Sequence, residues 1–134
     1  MADRQLGRVL DALDRRKLAD RTLVLFLSDN GFMLGSRDVG TEEGHAFQGK
    51  RYPYEAAVRV PVIVRGPHVL RGAVDDHAVS TLDVPPTILA AAGLAPEKRW
   101  RGRNLGPLLR GDAKAAPEDA LIELADVARP TVPA

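Results

Sequence analysis

An apolar segment, residues 22–27, ends abruptly at Ser28-Asp29-Asn30-Gly31, and this change constrains the fold more than any other feature of the sequence. A stretch without a charge that is rich in Leu, Val and Phe predicts a β-strand covered on both faces, as in a parallel α/β sheet. Ligands of such sheets bind beyond the carboxyl ends of the strands, so Asp29 and Asn30 are candidate ligand-binding residues. Asp-Asn-Gly is also typical of a simple turn, because these residues tolerate left-handed backbone.

The composition is that of an ordinary soluble globular protein, with 134 residues of which 45% are hydrophobic and 28% charged. The formal net charge is +1, from 19 basic and 18 acidic residues, so no electrostatic argument favours nucleic acid or an anionic membrane as a partner. There is no cysteine and hence no disulfide from which to infer a redox compartment. The sequence shows neither a signal peptide nor an apolar run long enough to span a bilayer, so we expect a soluble chain of unknown compartment.

Hydrophobic spacing and chain-breaking residues predict alternating helices and strands. The predicted elements are an amphipathic helix over residues 3–18 with Asp3 as N-cap, strands over residues 22–27 and 60–65, a helix from Ser80 or Thr81 to Ala92 ended by Gly93, and a short helix over residues 105–110 ended by Gly111. We expect a linker over residues 113–117 and a strand over residues 120–124 to follow. Asp83 would lie near the start of the second helix.

Several motifs occur in the order in which they occur in one enzyme family. They are Asp29-Asn30-Gly31, Gly49-Lys50-Arg51-Tyr52-Pro53-Tyr54-Glu55, Arg59-Val60-Pro61-Val62-Ile63-Val64-Arg65-Gly66-Pro67, Ser80-Thr81-Leu82-Asp83-Val84-Pro85-Pro86-Thr87 and Gly102-Arg103-Asn104-Leu105. Together they resemble the sulfatase family, arylsulfatase-like members of the alkaline phosphatase superfamily. The resemblance extends over residues 3–112 and implies an α/β fold: part of an alkaline-phosphatase-like sandwich, with a mostly parallel β-sheet flanked by helices.

The resemblance also implies roles for individual residues. It implies a structural role for Asp83, because the Thr-Leu-Asp segment packs and caps in this family. Asp29 and Asn30 match the pair that in sulfatases completes the coordination of Ca²⁺ or another divalent cation such as Mg²⁺, and Lys50 matches the lysine that contacts the sulfate group. The residue types suit these roles, because a carboxylate and an amide form a hard oxygen set, and an ammonium group offers three donors to a tetrahedral oxyanion.

One segment departs from the family pattern. Relatives commonly run from the metal pair through Leu-Gly and a histidine to Gly-Lys in a short loop, whereas residues 36–44 separate Leu34-Gly35 from His45 in this sequence. His45 keeps the expected offset from Lys50, so we interpret residues 36–44 as a loop insertion and His45 as a candidate catalytic residue. A long surface loop costs little closure entropy.

Sulfatases attack with a formylglycine made from a Cys/Ser-X-Pro-X-Arg signature, and no serine of this sequence begins that pattern. We therefore expect the chain to be the C-terminal part of a sulfatase core, truncated on the N-terminal side and inactive alone. The expected division is residues 1–112 in the catalytic domain and residues 113–134 as a linker and the start of a C-terminal subdomain or tail.

Three functional interpretations follow. The first is a segment of a sulfuric ester hydrolase that acts on a sulfated small molecule or glycan, with a formylglycine nucleophile from the missing half. The second is a related phosphatase or phosphonate hydrolase, although Asn30 argues against it, because those enzymes often pair aspartate with histidine at the metal. The third is a non-catalytic remnant that folds and binds ions or a partner.

Overall fold

The structure, a computed structural model, describes residues 1–35, 48–50, 52–117, 119–120 and 122. Helices and strands are mixed along these residues, which confirms the α/β prediction. The elements are α1 (Ala2–Arg15), β1 (Val24–Leu27), β2 (Met33–Leu34), β3 (Gln48–Gly49), α2 (Glu55–Val58), β4 (Val62–Arg65), α3 (Val84–Ala91) and α4 (Gly106–Leu109), with short 3₁₀ turns at Ala19–Arg21, Thr81–Asp83 and Ala113–Ala115.

The chain divides into two compact units. The first contains Met1–Leu27 and Pro61–Ala120, and the second contains Ser28–Val60 and Leu121–Ala134. This division does not test the predicted boundary at residue 112, which stays a prediction. The insertion over residues 36–44, His45 and most of the predicted strand over residues 120–124 lie outside the described residues.

The sheet of the first unit pairs β1 with β4. The two strands are antiparallel, with Phe26 opposite Ile63 and Leu27 opposite Val62. This pair of strands is not parallel, whereas the resemblance implies a mostly parallel sheet around the apolar strand. An apolar run indicates burial but carries no information about the direction of the neighbouring strand. Burial itself is incomplete, because Phe26 keeps 40% of its surface exposed.

Helix α1 forms where the sequence predicts it and ends three residues earlier. Its Leu6, Leu10 and Leu13 are half-buried, as expected from their spacing on one face. The predicted N-cap is wrong: Met1 precedes the helix without a side-chain cap, and Asp3 lies inside the first turn, where a carboxylate favours the helix dipole. Asp14 accepts a hydrogen bond from the Arg65 guanidinium at 2.7 Å, which joins α1 to β4 by a half-exposed ion pair. No helix among the described residues is long and apolar enough to cross a membrane.

A buried polar cluster joins α3 to the segment that precedes α4. Asp83 is 5% exposed and its two carboxylate oxygens accept from the backbone N–H groups of Ser80 (2.9 Å) and Arg103 (2.7 Å). Thr87 donates to the Asp83 carbonyl at 2.6 Å and accepts from the Leu105 N–H at 2.9 Å. This arrangement agrees with the structural role predicted for Asp83, because both of its oxygens hold backbone groups of the fold.

The second unit is built around Met33, which is 1% exposed. Strands β2 and β3 pair antiparallel, with Met33 opposite Gly49 and Leu34 opposite Gln48. Helix α2 is a single turn whose Ala57 is buried. Neither the β2–β3 pair nor α2 was predicted, because two-residue strands and one-turn helices are too short to carry a hydrophobic period.

Candidate functional site

The predicted metal pair lies in the turn directly after β1. Asp29 is exposed, and its Oδ1 accepts a hydrogen bond from the Asn30 N–H at 2.9 Å. The Ser28 hydroxyl donates to the Asn30 carbonyl at 2.8 Å, which closes the turn. Asx-type bonds of this kind are what the Asp-Asn-Gly sequence favours locally. The turn therefore presents the Asp29 carboxylate to solvent while the backbone beside it is held.

Lys50 reaches this turn through the β2–β3 pair. Gly49 lies opposite Met33, so the residue after Gly49 is brought close to the residues that precede Met33. Gly49 has a φ of 150°, which side-chain-bearing residues rarely adopt. The Lys50 Nζ donates to the Asn30 Oδ1 at 2.6 Å. An ammonium and an amide oxygen that are 20 positions apart in the sequence are thus in direct contact.

The structure brings together three of the four predicted site residues. Asn30 is the centre of the cluster, since its backbone N–H binds Asp29 and its side-chain oxygen binds Lys50. The contact of Lys50 is with the amide oxygen of Asn30. His45, the fourth candidate, lies outside the described residues. The catalytic and metal-binding roles of all four residues stay predictions.

Gly31 and Ala57, which the sequence analysis did not select as site residues, support the cluster through hydrogen bonds. Gly31 donates its N–H to the Ala57 carbonyl at 2.9 Å, and its own carbonyl accepts from the Asn30 Nδ2 at 2.7 Å. The glycine of Asp-Asn-Gly was the available signal, but it was interpreted only as a turn residue. The contribution of Ala57 could not be found from the sequence, because it depends on tertiary packing of α2.

The oxygen ligands in the turn are of the type that a hard divalent cation prefers, but they are too few to complete its coordination. Asp29 and Asn30 supply a carboxylate and an amide oxygen, the ligands that Ca²⁺ and Mg²⁺ prefer. Calcium usually takes about six to eight oxygens. Within the part of the chain that the structure describes, no group of three or more His, Cys, Asp or Glu side chains could hold a metal ion. The described residues thus offer part of a coordination shell.

Comparison with known proteins agrees with the order of motifs. The sulfatase family profile matches residues 1–94. The chain is 44% identical to steryl-sulfatase of Mus musculus over 124 residues, which cover 87% of this chain and 20% of that protein. Among curated bacterial relatives, it is 32% identical over 113 residues to N-acetylglucosamine-6-O-sulfatase of Bacteroides thetaiotaomicron, covering 84% of this chain and 19% of that protein.

A solved structure shares the fold as well. A phosphonate monoester hydrolase from Silicibacter pomeroyi superposes with a TM-score of 0.75 at 34% identity, over 89% of this chain and 21% of that one. The α/β fold is thus a partial sulfatase and alkaline-phosphatase-like fold, as predicted. The chain spans about a fifth of the length of each of these three proteins. With the family profile covering more than half of its residues, the chain belongs to the sulfatase family.

Proposed function

We propose that this chain is the part of a sulfuric ester hydrolase that supplies Asp29 and Asn30 to a divalent cation and Lys50 to the sulfate group. The observation that carries the proposal is the 2.6 Å contact between the Lys50 Nζ and the Asn30 Oδ1. It brings a fixed positive charge to the same turn as the exposed Asp29 carboxylate. A cationic donor beside a cation site is an arrangement suited to binding a tetrahedral anion.

Lys50 is suited to stabilise charge on the sulfate oxygens. Its ammonium group has three donors, and the bond to Asn30 uses one of them. The other two can be directed at oxygens of a bound sulfate. Because Asn30 restricts the motion of the long lysine side chain, less conformational entropy is lost when the anion binds.

Asp29 and Asn30 would hold Ca²⁺, or another divalent cation such as Mg²⁺, through a carboxylate and an amide oxygen. The Asn30 Oδ1 has two lone pairs, so it can accept from the Lys50 Nζ with one and bind the cation with the other. When bound, the cation polarises the oxygens of the ester group. Asp29 provides the charge of this pair, so we expect it to contribute more to cation affinity than the neutral Asn30. The remaining ligands and the nucleophile, expected to be formylglycine, would come from outside this chain, which spans about a fifth of the length of its relatives.

The substrate class we propose is a sulfate ester of a small molecule or glycan. Two relatives support it by their names, one a steryl-sulfatase and the other an N-acetylglucosamine-6-O-sulfatase. Phosphonate or phosphate ester hydrolysis is the second candidate, and the phosphonate monoester hydrolase with the same fold favours it. Both chemistries are compatible with one fold, so the site rather than the fold must decide between them.

The cation assignment can be tested on the chain itself by calorimetric titration with Ca²⁺. We expect weak binding that the Asp29→Ala variant loses and that a control variant, Asp20→Ala, retains, because Asp20 is exposed and lies in a different unit. We also expect no turnover of an activated aryl sulfate or an aryl phosphate by the isolated chain. Binding that is indifferent to Asp29→Ala would refute the cation assignment, and saturable turnover that depends on Asp29 would refute the expected inactivity.

The choice between the two chemistries requires the whole enzyme. We expect kcat/KM for an aryl sulfate to exceed that for a phosphonate monoester of the same leaving group. The opposite ranking would establish the second candidate and leave the site assignment intact.

A further inference from the structure

Gly31 is packed against the backbone of α2 so closely that no side chain fits. A Cβ at this position would overlap the Ala56 carbonyl oxygen and approach the carbonyl carbons of Ala56 and Ala57 to 3.0 Å each. All of these are backbone atoms, so the overlap could be relieved only by moving the turn or the helix. The backbone at Gly31 is therefore the point where the turn of Asp29 and Asn30 is fixed to α2.

The end of α2 explains why this attachment exists. The carbonyls in the last turn of a helix have no partner within the helix. Ala57 is the third of the four residues of α2, and its carbonyl accepts from the Gly31 N–H at 2.9 Å. Because Ala57 is 6% exposed, that carbonyl would be left unsatisfied away from water if Gly31 moved.

The carbonyl of the same glycine determines which way the Asn30 side chain faces. The Asn30 Nδ2 donates to the Gly31 carbonyl at 2.7 Å, so the amide nitrogen lies on that side and the oxygen on the other. The exposed oxygen is the atom that the Lys50 Nζ contacts. A continuous series of hydrogen bonds thus runs from the Ala57 carbonyl through the Gly31 peptide groups and the Asn30 amide to Lys50.

We propose that Gly31 is a positioning residue of this site: its attachment to α2 orients the Asn30 amide and, through it, holds the Lys50 ammonium. The inference rests on the proposed function only in that Lys50 is taken to contact a sulfate group. The positioning of Lys50 by Gly31 does not depend on the proposed function. Replacing Gly31 by alanine would displace the turn from α2, break the bond to Ala57 and release Lys50 from Asn30.

The test measures the reactivity of Lys50 towards an amine-acylating ester, quantified by mass spectrometry against the exposed Lys17, Lys98 and Lys114 of the same molecule. In Gly31→Ala we expect Lys50 to be acylated about two- to fivefold faster relative to these references, the range for losing one exposed charge-assisted hydrogen bond. Asn30→Leu should give the same increase.

Gly7→Ala is the matched control. It makes the same chemical change in α1, where an added Cβ meets no atom within 4 Å and alanine favours the helix. We expect an unchanged Lys50 ratio. A purely structural role of Gly31 would lower the thermal midpoint without changing the ratio of Lys50 to the other lysines.

An increase in Asn30→Leu without one in Gly31→Ala would overturn the proposal, as would no increase in either. If Gly31→Ala raises the acylation rates of all four lysines together, hydrogen exchange of the Gly31 amide is measured in the unsubstituted chain. Protection of this amide supports the proposal, and exchange at the rate of an unfolded chain refutes it. Acylation is measured without cation or substrate, so its outcome is independent of whether the enzyme hydrolyses sulfate esters.

Discussion

Asp29 follows the end of β1 and Asp83 precedes the start of α3, and the two carboxylates lie in opposite environments. Asp83 is buried, and each of its oxygens accepts from a backbone N–H of the fold. Asp29 is exposed, and its Oδ1 accepts from the N–H of the next residue. A carboxylate whose oxygens both accept hydrogen bonds from the fold has few lone pairs available for a ligand. A carboxylate that is held only by a neighbouring residue and is exposed to solvent can still bind a ligand.

The largest expected effect concerns the buried side of this comparison. Asp83→Ala removes acceptors from the Ser80 and Arg103 N–H groups, and we expect the free energy of unfolding to fall by about 3–5 kcal/mol. Urea denaturation followed by circular dichroism would measure it. Asp29→Ala, as the exposed counterpart, should change stability by less than about 0.5 kcal/mol. Equal losses for the two variants would contradict the distinction.

The second prediction concerns the exposed side. In the whole enzyme, Lys50→Ala should raise the barrier to sulfate ester hydrolysis by about 2–4 kcal/mol, the range for losing one preorganised charge-stabilising donor. Steady-state kinetics with an aryl sulfate would measure it, with Lys114→Ala as a control in the other unit. Unchanged kinetics would mean that Lys50 does not face the sulfate group in the assembled enzyme.

A smaller effect is expected at Thr87, which lies 2% exposed beside Asp83. Thr87→Val keeps the shape but leaves the buried Leu105 N–H without its acceptor, at a cost of about 1–3 kcal/mol in unfolding free energy. Thr87→Ser keeps the hydroxyl, and we expect it to retain the bond. Similar chemical denaturation midpoints for Thr87→Val and the parent would show that water replaces the hydroxyl.

The smallest effect concerns Asp75, an exposed aspartate that resembles Asp29 in accepting a local backbone N–H. Hydrogen bonds from the backbone N–H of His77 and from its side chain lower the pKa of Asp75. A lowered folded-state pKa contributes stability above the unfolded value, and this contribution is lost as the pH falls through the folded-state value. The backbone hydrogen bond is the larger cause, so His77→Ala should return the pKa of Asp75 only partly towards its ordinary value. His77→Pro also lacks the backbone N–H and should return it further.

Carboxyl ¹³C shifts recorded against pH would measure this change. The same pKa in His77→Pro and in the parent would show that the backbone N–H does not hold Asp75. The comparison with Asp29 would then lose its example of an exposed carboxylate that is held by local bonds alone.

The sequence predicted those parts of the molecule that repeat a pattern over many residues. Helix α1 and strands β1 and β4 were placed within three residues at each end, because hydrophobic spacing reports which faces are buried. The antiparallel pairing of β1 with β4 could not be predicted, since strand direction depends on the path of the chain. Asp83 was interpreted as structural from the family resemblance, in which the Thr-Leu-Asp segment packs and caps.

The residues of the candidate site were selected from the sequence, but the backbone contacts that hold them in place were not predicted. Asp29, Asn30 and Lys50 were selected by residue type and by family resemblance, and the structure places Lys50 on Asn30. The contact of Gly31 with Ala57 depends on how closely two backbones approach, and no periodicity or composition reports that distance. The two-residue strands that deliver Lys50 were missed for the same reason.

The pairing of Leu34 with Gln48 has a consequence for how members of such a family can diverge. Because Leu34 and Gln48 lie opposite each other, the number of residues between them can change while β2 and β3 keep their register. Each doubling of a flexible loop costs only about 0.6 kcal/mol in closure entropy. The register of β2 and β3, and with it the contact of Lys50 with Asn30, therefore does not depend on how many residues join the two strands.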